Sequence, residues 1–238
     1  MKTSNKLFIA AVLIIVISMI GYDLALRAEY RKGEYKKPFY GMENINFNDF
    51  TTIDNRAANL ISVKAEKGNE SAIWVEKEWK KHLKISKNGT TLVIEVVDKK
   101  VSRLHSYQNN ITIICPSLEK VITNPISNAK LSESYDSEGT TTIKGFDLKN
   151  LVLNIGKCSG LILEKNNINS LQAIVGSNSS ENARLTIGSD NQINVAIVKV
   201  PGKNFLTVEN PTITTKNFTI SDSATVSTSG HFFNQIHN

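Results

Sequence analysis

Two patterns of apolar and polar positions divide the chain. From Leu7 to Ile20 the sequence reads LFIAAVLIIVISMI without a charge, and the apolar stretch continues through Gly21, Tyr22 and the isolated Asp23 to Leu26. About 20 residues of this kind are enough to cross a bilayer as a helix. Beyond them, apolar and polar residues alternate with a period of two, the pattern of half-buried β-strands. Ile61, Val63 and Ala65 alternate in one run. Leu83–Ser86 and Leu92–Val96 flank the turn signal Asn88-Gly89, which predicts a hairpin. Ile111–Cys115 follows and is stopped by Pro116. Trp74–His82 is the helical candidate of note, a turn or two long, and the polar, Ser-rich Asn128–Gly139 predicts a surface loop.

From Leu148 onward the spacing becomes regular. Short apolar runs begin near Leu151, Leu161, Leu171, Leu185, Val195, Phe205, Phe218 and Val226. Turns at Asn166-Asn167, Gly176-Ser177-Asn178, Gly188-Ser189-Asp190 and Pro201-Gly202 separate them. Short strands at intervals of about ten residues fit a sandwich or a solenoid. Two features favour a solenoid of parallel coils: the runs lack two-residue hairpin turns, and Asn-rich turns recur at near-regular intervals. Inward Leu, Ile and Val would then form one long core. The expected fold is all-β, a β-helix or solenoid-like domain after a single N-terminal transmembrane helix.

The chain accordingly divides into a short tail (1–6), a transmembrane signal anchor (7–26), a basic linker containing Pro38 (27–41) and the β domain (42–238). Signal-peptide cleavage needs small residues at −3 and −1, and neither Ser18–Gly21 nor Asp23–Ala28 offers a clean pair, so the segment is expected to stay uncleaved. No cysteine follows it to carry a lipid anchor. More basic residues follow the segment than precede it, which alone favours a cytoplasmic C-terminus. A short tail before a long polar domain is nevertheless the layout of exported single-anchor proteins, and long domains translocate largely regardless of charge. The expectation is a periplasmic or extracellular β domain.

Charge changes the picture only locally. The formal net charge of +6 comes from 28 basic and 22 acidic residues. Lys2, Lys6, Arg27, Arg31, Lys32, Lys36 and Lys37 flank the apolar segment, opposed by Asp23, Glu29 and Glu34. A second cluster, Lys77, Lys80, Lys81, Lys84 and Lys87, is diluted by Glu76 and Glu78. Both are membrane-proximal charge and solvated surface rather than a nucleic-acid footprint, and the basic flank suits anionic headgroups.

Candidate chemistry is sparse. Cys115 and Cys158 lack CxxC spacing and sit in or beside apolar runs, so two small buried hydrophobes are favoured over one disulfide. His82, His105, His231 and His237 have no HxH or HExxH neighbour and are expected as scattered solvent-facing residues. No GxSxG elbow or phosphate-binding glycine loop occurs. Glu133, Asp136 and Glu138 share one polar loop, but glycosidic chemistry needs a carboxylate partner across a cleft, and a calcium site is equally open. Trp74 and Trp79 are expected in core or coil-capping roles rather than stacked on sugars. The sequons at Asn88, Asn110, Asn178 and Asn217 are what chance supplies in so Asn- and Thr-rich a chain. No catalytic, cofactor-binding or metal-binding residue is assigned, and no cofactor is expected.

Four stretches carry a family resemblance: Phe47–Ile53 (FNDFTTI), Leu60–Gly68 (LISVKAEKG), Gly89–Ile94 (GTTLVI) and Ile111–Val121 (ITIICPSLEKV). Together they resemble the auto-transporter adhesin head (GIN) domain family of bacterial envelope proteins, over roughly Ile45 to Ile236. The I-x-I-x-x-P-x-L run at Ile111–Leu118 is the most telling. The resemblance implies an exported, right-handed β-helix with an adhesin-like role and transfers no catalytic residue. The chain departs from the family in carrying Asn and Ser where coil corners usually carry glycine. It also ends in His231–Ile236 rather than a glycine-rich closing strand. The function expected is a membrane-anchored, non-enzymatic interaction module of the cell envelope, with an envelope protein or carbohydrate as partner and no nucleic acid. The rival is a carbohydrate-active β-helix enzyme acting on envelope or extracellular polysaccharide. A third reading is a partner of another membrane protein, contacted through Arg27–Lys37.

Overall fold

The computed structural model describes residues 3–97, 110–126, 139–179 and 181–237. The chain forms two compact units, Met1–Met42 and Glu43–Asn238.

The first unit is one helix, α1 (Thr3–Lys32), followed by a 3₁₀ turn at Glu34–Lys36. No residue of α1 is buried. The helix outlasts the apolar stretch: Arg27–Lys32, read above as the start of a linker, continues it. Local charge explains this. Asp23 pairs with Arg27 at i,i+4 (2.9 Å) and Glu29 with Lys32 at i,i+3, while Arg31 and Lys32 sit in the last turn against the negative end of the helix dipole. Gly33, in the left-handed region at φ +67, then ends the helix.

The second unit opens with β1 (Met42–Ile45), β2 (Thr52–Asn55), β3 (Val63–Lys67), β4 (Ala72–Glu76), one helical turn α2 (Lys77–Lys80), β5 (Leu83–Asn88) and β6 (Thr91–Val96). It continues through β7 (Ile111–Cys115), β8 (Lys120–Thr123) and β9 (Thr140–Lys144). The regular section follows as β10 (Asp147–Ile155), β11 (Gly160–Glu164), β12 (Asn167–Val175), β13 (Glu181–Ile187), β14 (Gln192–Val200), β15 (Lys203–Val208), β16 (Thr212–Ile220) and β17 (Thr225–Thr228). The chain closes on α3 (Gly230–His237). All eight apolar runs read from the spacing are strands.

These strands make two mixed sheets, neither of which closes. One runs β1-β4-β7-β3-β9-β11-β13-β15-β17 and the other β16-β14-β12-β10-β8-β2-β6-β5. From β8 onward successive strands alternate between the sheets, and each pairs in parallel with the strand two places on. Equivalent residues therefore stack. Leu148, Ile168, Ile193 and Ile213 form one buried row, and Leu151, Leu171 and Ala196 another. Leu161, Leu185 and Leu206 do the same in the other sheet. Side chains of both sheets form one contiguous apolar core. The burial alternation of β12 and β14 is that of strands with one covered and one open face.

The turns between strands explain the abundance of asparagine. Asn166 and Asn191, at equivalent places before β12 and β14, are 2% and 1% exposed. Asn166 Nδ2 donates to Ile143 O (2.9 Å) and to Asn191 Oδ1 (3.0 Å), and its Oδ1 accepts from Phe146 N (3.0 Å). Asn191 Nδ2 donates to Leu163 O and Gly188 O, both 2.7 Å. At another turn, Asn204 Oδ1 accepts from Ala183 N (3.0 Å). A carboxamide offers two donors and two acceptor lone pairs. It thus satisfies backbone groups that a turn leaves without ladder partners, which glycine cannot do.

The front of the domain departs from the expected pattern in three places. The alternation that reads as starting at Ile61 becomes a strand only at Val63. Leu60 and Ile61 lie buried in a turn whose amides bond to Ala57 O. The hairpin forms, but Asn88 pairs with Thr91, so its turn residues are Gly89 and Thr90, with Gly89 at φ +60 supplying the first. The Trp74–His82 stretch is helical only over Lys77–Lys80. Trp74 belongs to β4, half-buried, whereas Trp79 is 1% exposed and ties α2 to the core. β5 with β6 and β4 with β7 are the antiparallel pairs among the registers described.

Candidate functional site

The break from parallel to antiparallel pairing is accompanied by a concave feature among the described residues. A cavity of about 400 Å³ lies where β1, α2 and β5 meet. Ile45, Val75, Leu83, Ile85 and Val97 give it an apolar lining, and Lys80 and Lys84 also border it. The local reasons are simple. Trp79 buries its indole, so the single turn of α2 turns Lys77 and Lys80 outward. β5 is an edge strand of its sheet, which leaves Leu83 and Ile85 half-covered. Val97, just past β6, is 65% exposed.

The rim is cationic. Lys80 Nζ donates a hydrogen bond to Glu43 in β1. That bond, then the charge of Lys80 and that of Lys77, holds the Glu43 carboxyl below its usual pKa. Lys77, Lys81 and Lys84 are exposed, and they form no ion pair among the described residues. His82 lies edge-on to Trp79, with ring centroids 6.4 Å apart.

The outer sheet faces have a different chemistry. One outward row in the longer sheet passes through Lys64, Thr142, Ile162, Thr186, Thr207 and Ser227. In the other sheet Val152, Gln172, Ile197 and Asn217 stand in register. These rows carry hydroxyl, amide and aliphatic groups, with Lys64 at one end of the first. A denser ionic group lies across β2 and β6. Arg56 bonds to both Asp54 and Glu95 at 2.8 Å, the Asp54 hydrogen bond being the main cause of its raised pKa.

Among the described residues, those weighed from sequence are not gathered into a site. Among the described residues, no group of three or more His, Cys, Asp or Glu comes together to hold a metal ion. His82 neighbours the cavity's α2, and His231 lies in α3. His105, Glu133, Asp136 and Glu138, the side chain of His237 and most of the Asn128–Gly139 loop lie outside the described residues. Sequence reasoning passed over the cavity because its apolar lining comes from four separate segments. The usable signal was the lysine cluster beside Trp79 and the hairpin.

Both cysteines are thiols. Cys115 is fully buried in β7, and burial pushes its pKa from 9.0 up to about 12. Cys158 is half-buried in a turn at φ +52. A maleimide at pH 8 is expected to modify Cys158 well before Cys115, with Cys115 reacting only on unfolding. Mass mapping of the labelled peptides tests this, and equal rates would contradict the burial. The linkage has a definite sign. The thiol ionises more easily unfolded than folded, so its contribution to stability is complete below pH 9 and declines as pH rises towards 12.

No protein-family model matches the chain, and no curated protein does. Solved structures of similar shape include a candidate adhesin from Bacteroides fragilis, 14% identical, covering 79% of this chain and 96% of that one at a TM-score of 0.42. A candidate lipid-binding protein from Parabacteroides distasonis (12% identity, 79% and 96% coverage, TM-score 0.38) is another. A third is a candidate adhesin from Parabacteroides merdae (12% identity, 79% and 95% coverage, TM-score 0.37).

Proposed function

We propose that the chain is a membrane-tethered, GIN-like β-helical module. Its β domain lies outside the cytoplasm, and it acts by binding an envelope protein or carbohydrate rather than by catalysis. The observation that carries this is α1. Its mean hydropathy reaches 2.5 over an 18-residue window, and none of that window is buried. A soluble protein rarely exposes so large an apolar surface, and a bilayer is the solvent that accepts it. The β-helical reading is supported by strands that alternate between two sheets and stack in parallel register, with asparagine rows at the turns. Outer rows of Thr, Ser, Asn and Gln suit broad, adhesin-like contact.

The test is fractionation of cells making the full chain with a C-terminal tag. Resistance to alkaline carbonate extraction and digestion of the tag by protease added outside spheroplasts are expected. A tag in the soluble fraction would end the tether reading. A C-terminal reporter active only in the cytoplasm would reverse the orientation. Release of reducing ends from envelope polysaccharide by the purified full chain would replace binding with catalysis.

A further inference from the structure

We infer that the lysine-bordered cavity between β1, α2 and β5 holds an acyl chain of an anionic phospholipid from the bilayer to which the chain is tethered. This rests on the tether reading above and assigns that reading a ligand. The site has two chemistries in the arrangement such a lipid requires. Ile45, Val75, Leu83 and Ile85 line a half-open groove that partly withdraws hydrocarbon from water, and Val97 stands at its mouth. Its volume, about 400 Å³, falls within the range of small-ligand pockets. Lys84 borders the cavity, and Lys77 and Lys81 belong to or directly follow α2, which also carries Lys80.

Charge complementarity selects the headgroup. Glu43 is engaged by Lys80. Lys77, Lys81 and Lys84 are exposed and form no ion pair among the described residues, although Lys77 also acts on the Glu43 carboxylate through its charge. Basic residues near a membrane surface gain about 1 kcal/mol each from anionic lipid, or roughly five-fold in affinity. Location selects the source. Roughly ten residues separate the end of α1 from β1, so the tether is at most about 35 Å long. Membrane phospholipid is then the most concentrated amphiphile within reach of the site, and the lysines favour its anionic members. The exposed Val97 at the mouth gives the incoming chain an apolar edge.

The experiment uses the full chain in nanodiscs of phosphatidylcholine alone or with phosphatidylglycerol, each lipid carrying a diazirine at the acyl end. Irradiation followed by peptide mapping is expected to label the β5 segment Leu83–Asn88 and the peptide containing Val97. Phosphatidylglycerol should label them more than phosphatidylcholine by at least about five-fold, the contribution of a single lysine. Ile85→Trp, which fills the cavity, should abolish this label, and the exposed Lys84→Gln should lower it about five-fold without disturbing the fold. Labelling of α1 peptides should be unchanged in both variants.

Absence of label in β5, equal label from both lipids, or label that survives Ile85→Trp would overturn the proposal. So would a protein–protein cross-link formed in place of lipid when a photoreactive residue replaces Leu83. Loss of label on α1 itself would instead mark failure of the tether.

Discussion

Replacing Asn191 by alanine is expected to destabilise the β domain by about 3–5 kcal/mol, a large fraction of a typical domain's stability. Asn191 is 1% exposed, and its carboxamide is fully used. Its Nδ2 donates to Leu163 O and Gly188 O, and its Oδ1 accepts from Asn166 N and Asn166 Nδ2, both 3.0 Å. Truncation to a methyl group leaves carbonyls and donors inside the protein with neither partner nor solvent. Each such orphan costs about 1–3 kcal/mol, reduced by whatever water or relaxation reaches it. The control is Asn194→Ala. Asn194 Nδ2 bonds to Asn169 Oδ1 at 2.9 Å on the exposed face, where water replaces the lost bond. A loss below about 1 kcal/mol is expected there. Urea unfolding of the full chain in detergent, followed by circular dichroism, compares the two. Equal losses would show that burial of the asparagine row does not matter.

Phe232→Ala is expected to cost about 3 kcal/mol or more and to promote aggregation. The stack of strands must end, and its last strands offer a poor inner surface. Register places Lys216 after Leu171 and Ala196, and Phe218 after Ala173 and Val198. Phe232, fully buried in α3, covers this end. Its ring stacks on Phe218 at 6.5 Å and 24°, with Lys216 Nζ 5.5 Å from its centroid. Without that ring the core end opens beside the edge strand β16, which carries Lys216 and Phe218. Thermal unfolding and size-exclusion chromatography measure both effects. Phe233→Ala, at a residue 53% exposed, should stay within about 0.5 kcal/mol. A Phe232 variant no worse than Phe233→Ala would remove the capping role.

The cavity was not legible in the same way as the strands. Leu151, Leu171 and Leu185 announce strands because side-chain alternation and turn residues are local properties. The lining of the cavity comes from Ile45, Val75, Leu83, Ile85 and Val97, residues that become neighbours only when β1 joins one sheet edge and β5 the other. The asparagines fall between these cases. Their recurrence at turns was visible, but whether each faced water or the core was not. Asn166 and Asn167 are adjacent, yet one is buried in the row while the other reaches Asp147 Oδ1 on the exposed face at 2.9 Å.

What the sequence determined by itself is the division into an apolar N-terminal helix and a β domain of short, evenly spaced strands. Hydrophobic run length and period-two alternation depend only on neighbouring residues. Tertiary structure decided two further things: which turn polar groups are buried, and where two antiparallel pairs interrupt the parallel stacking. Each depends on what residues distant in the chain leave uncovered, and a one-dimensional pattern does not record that.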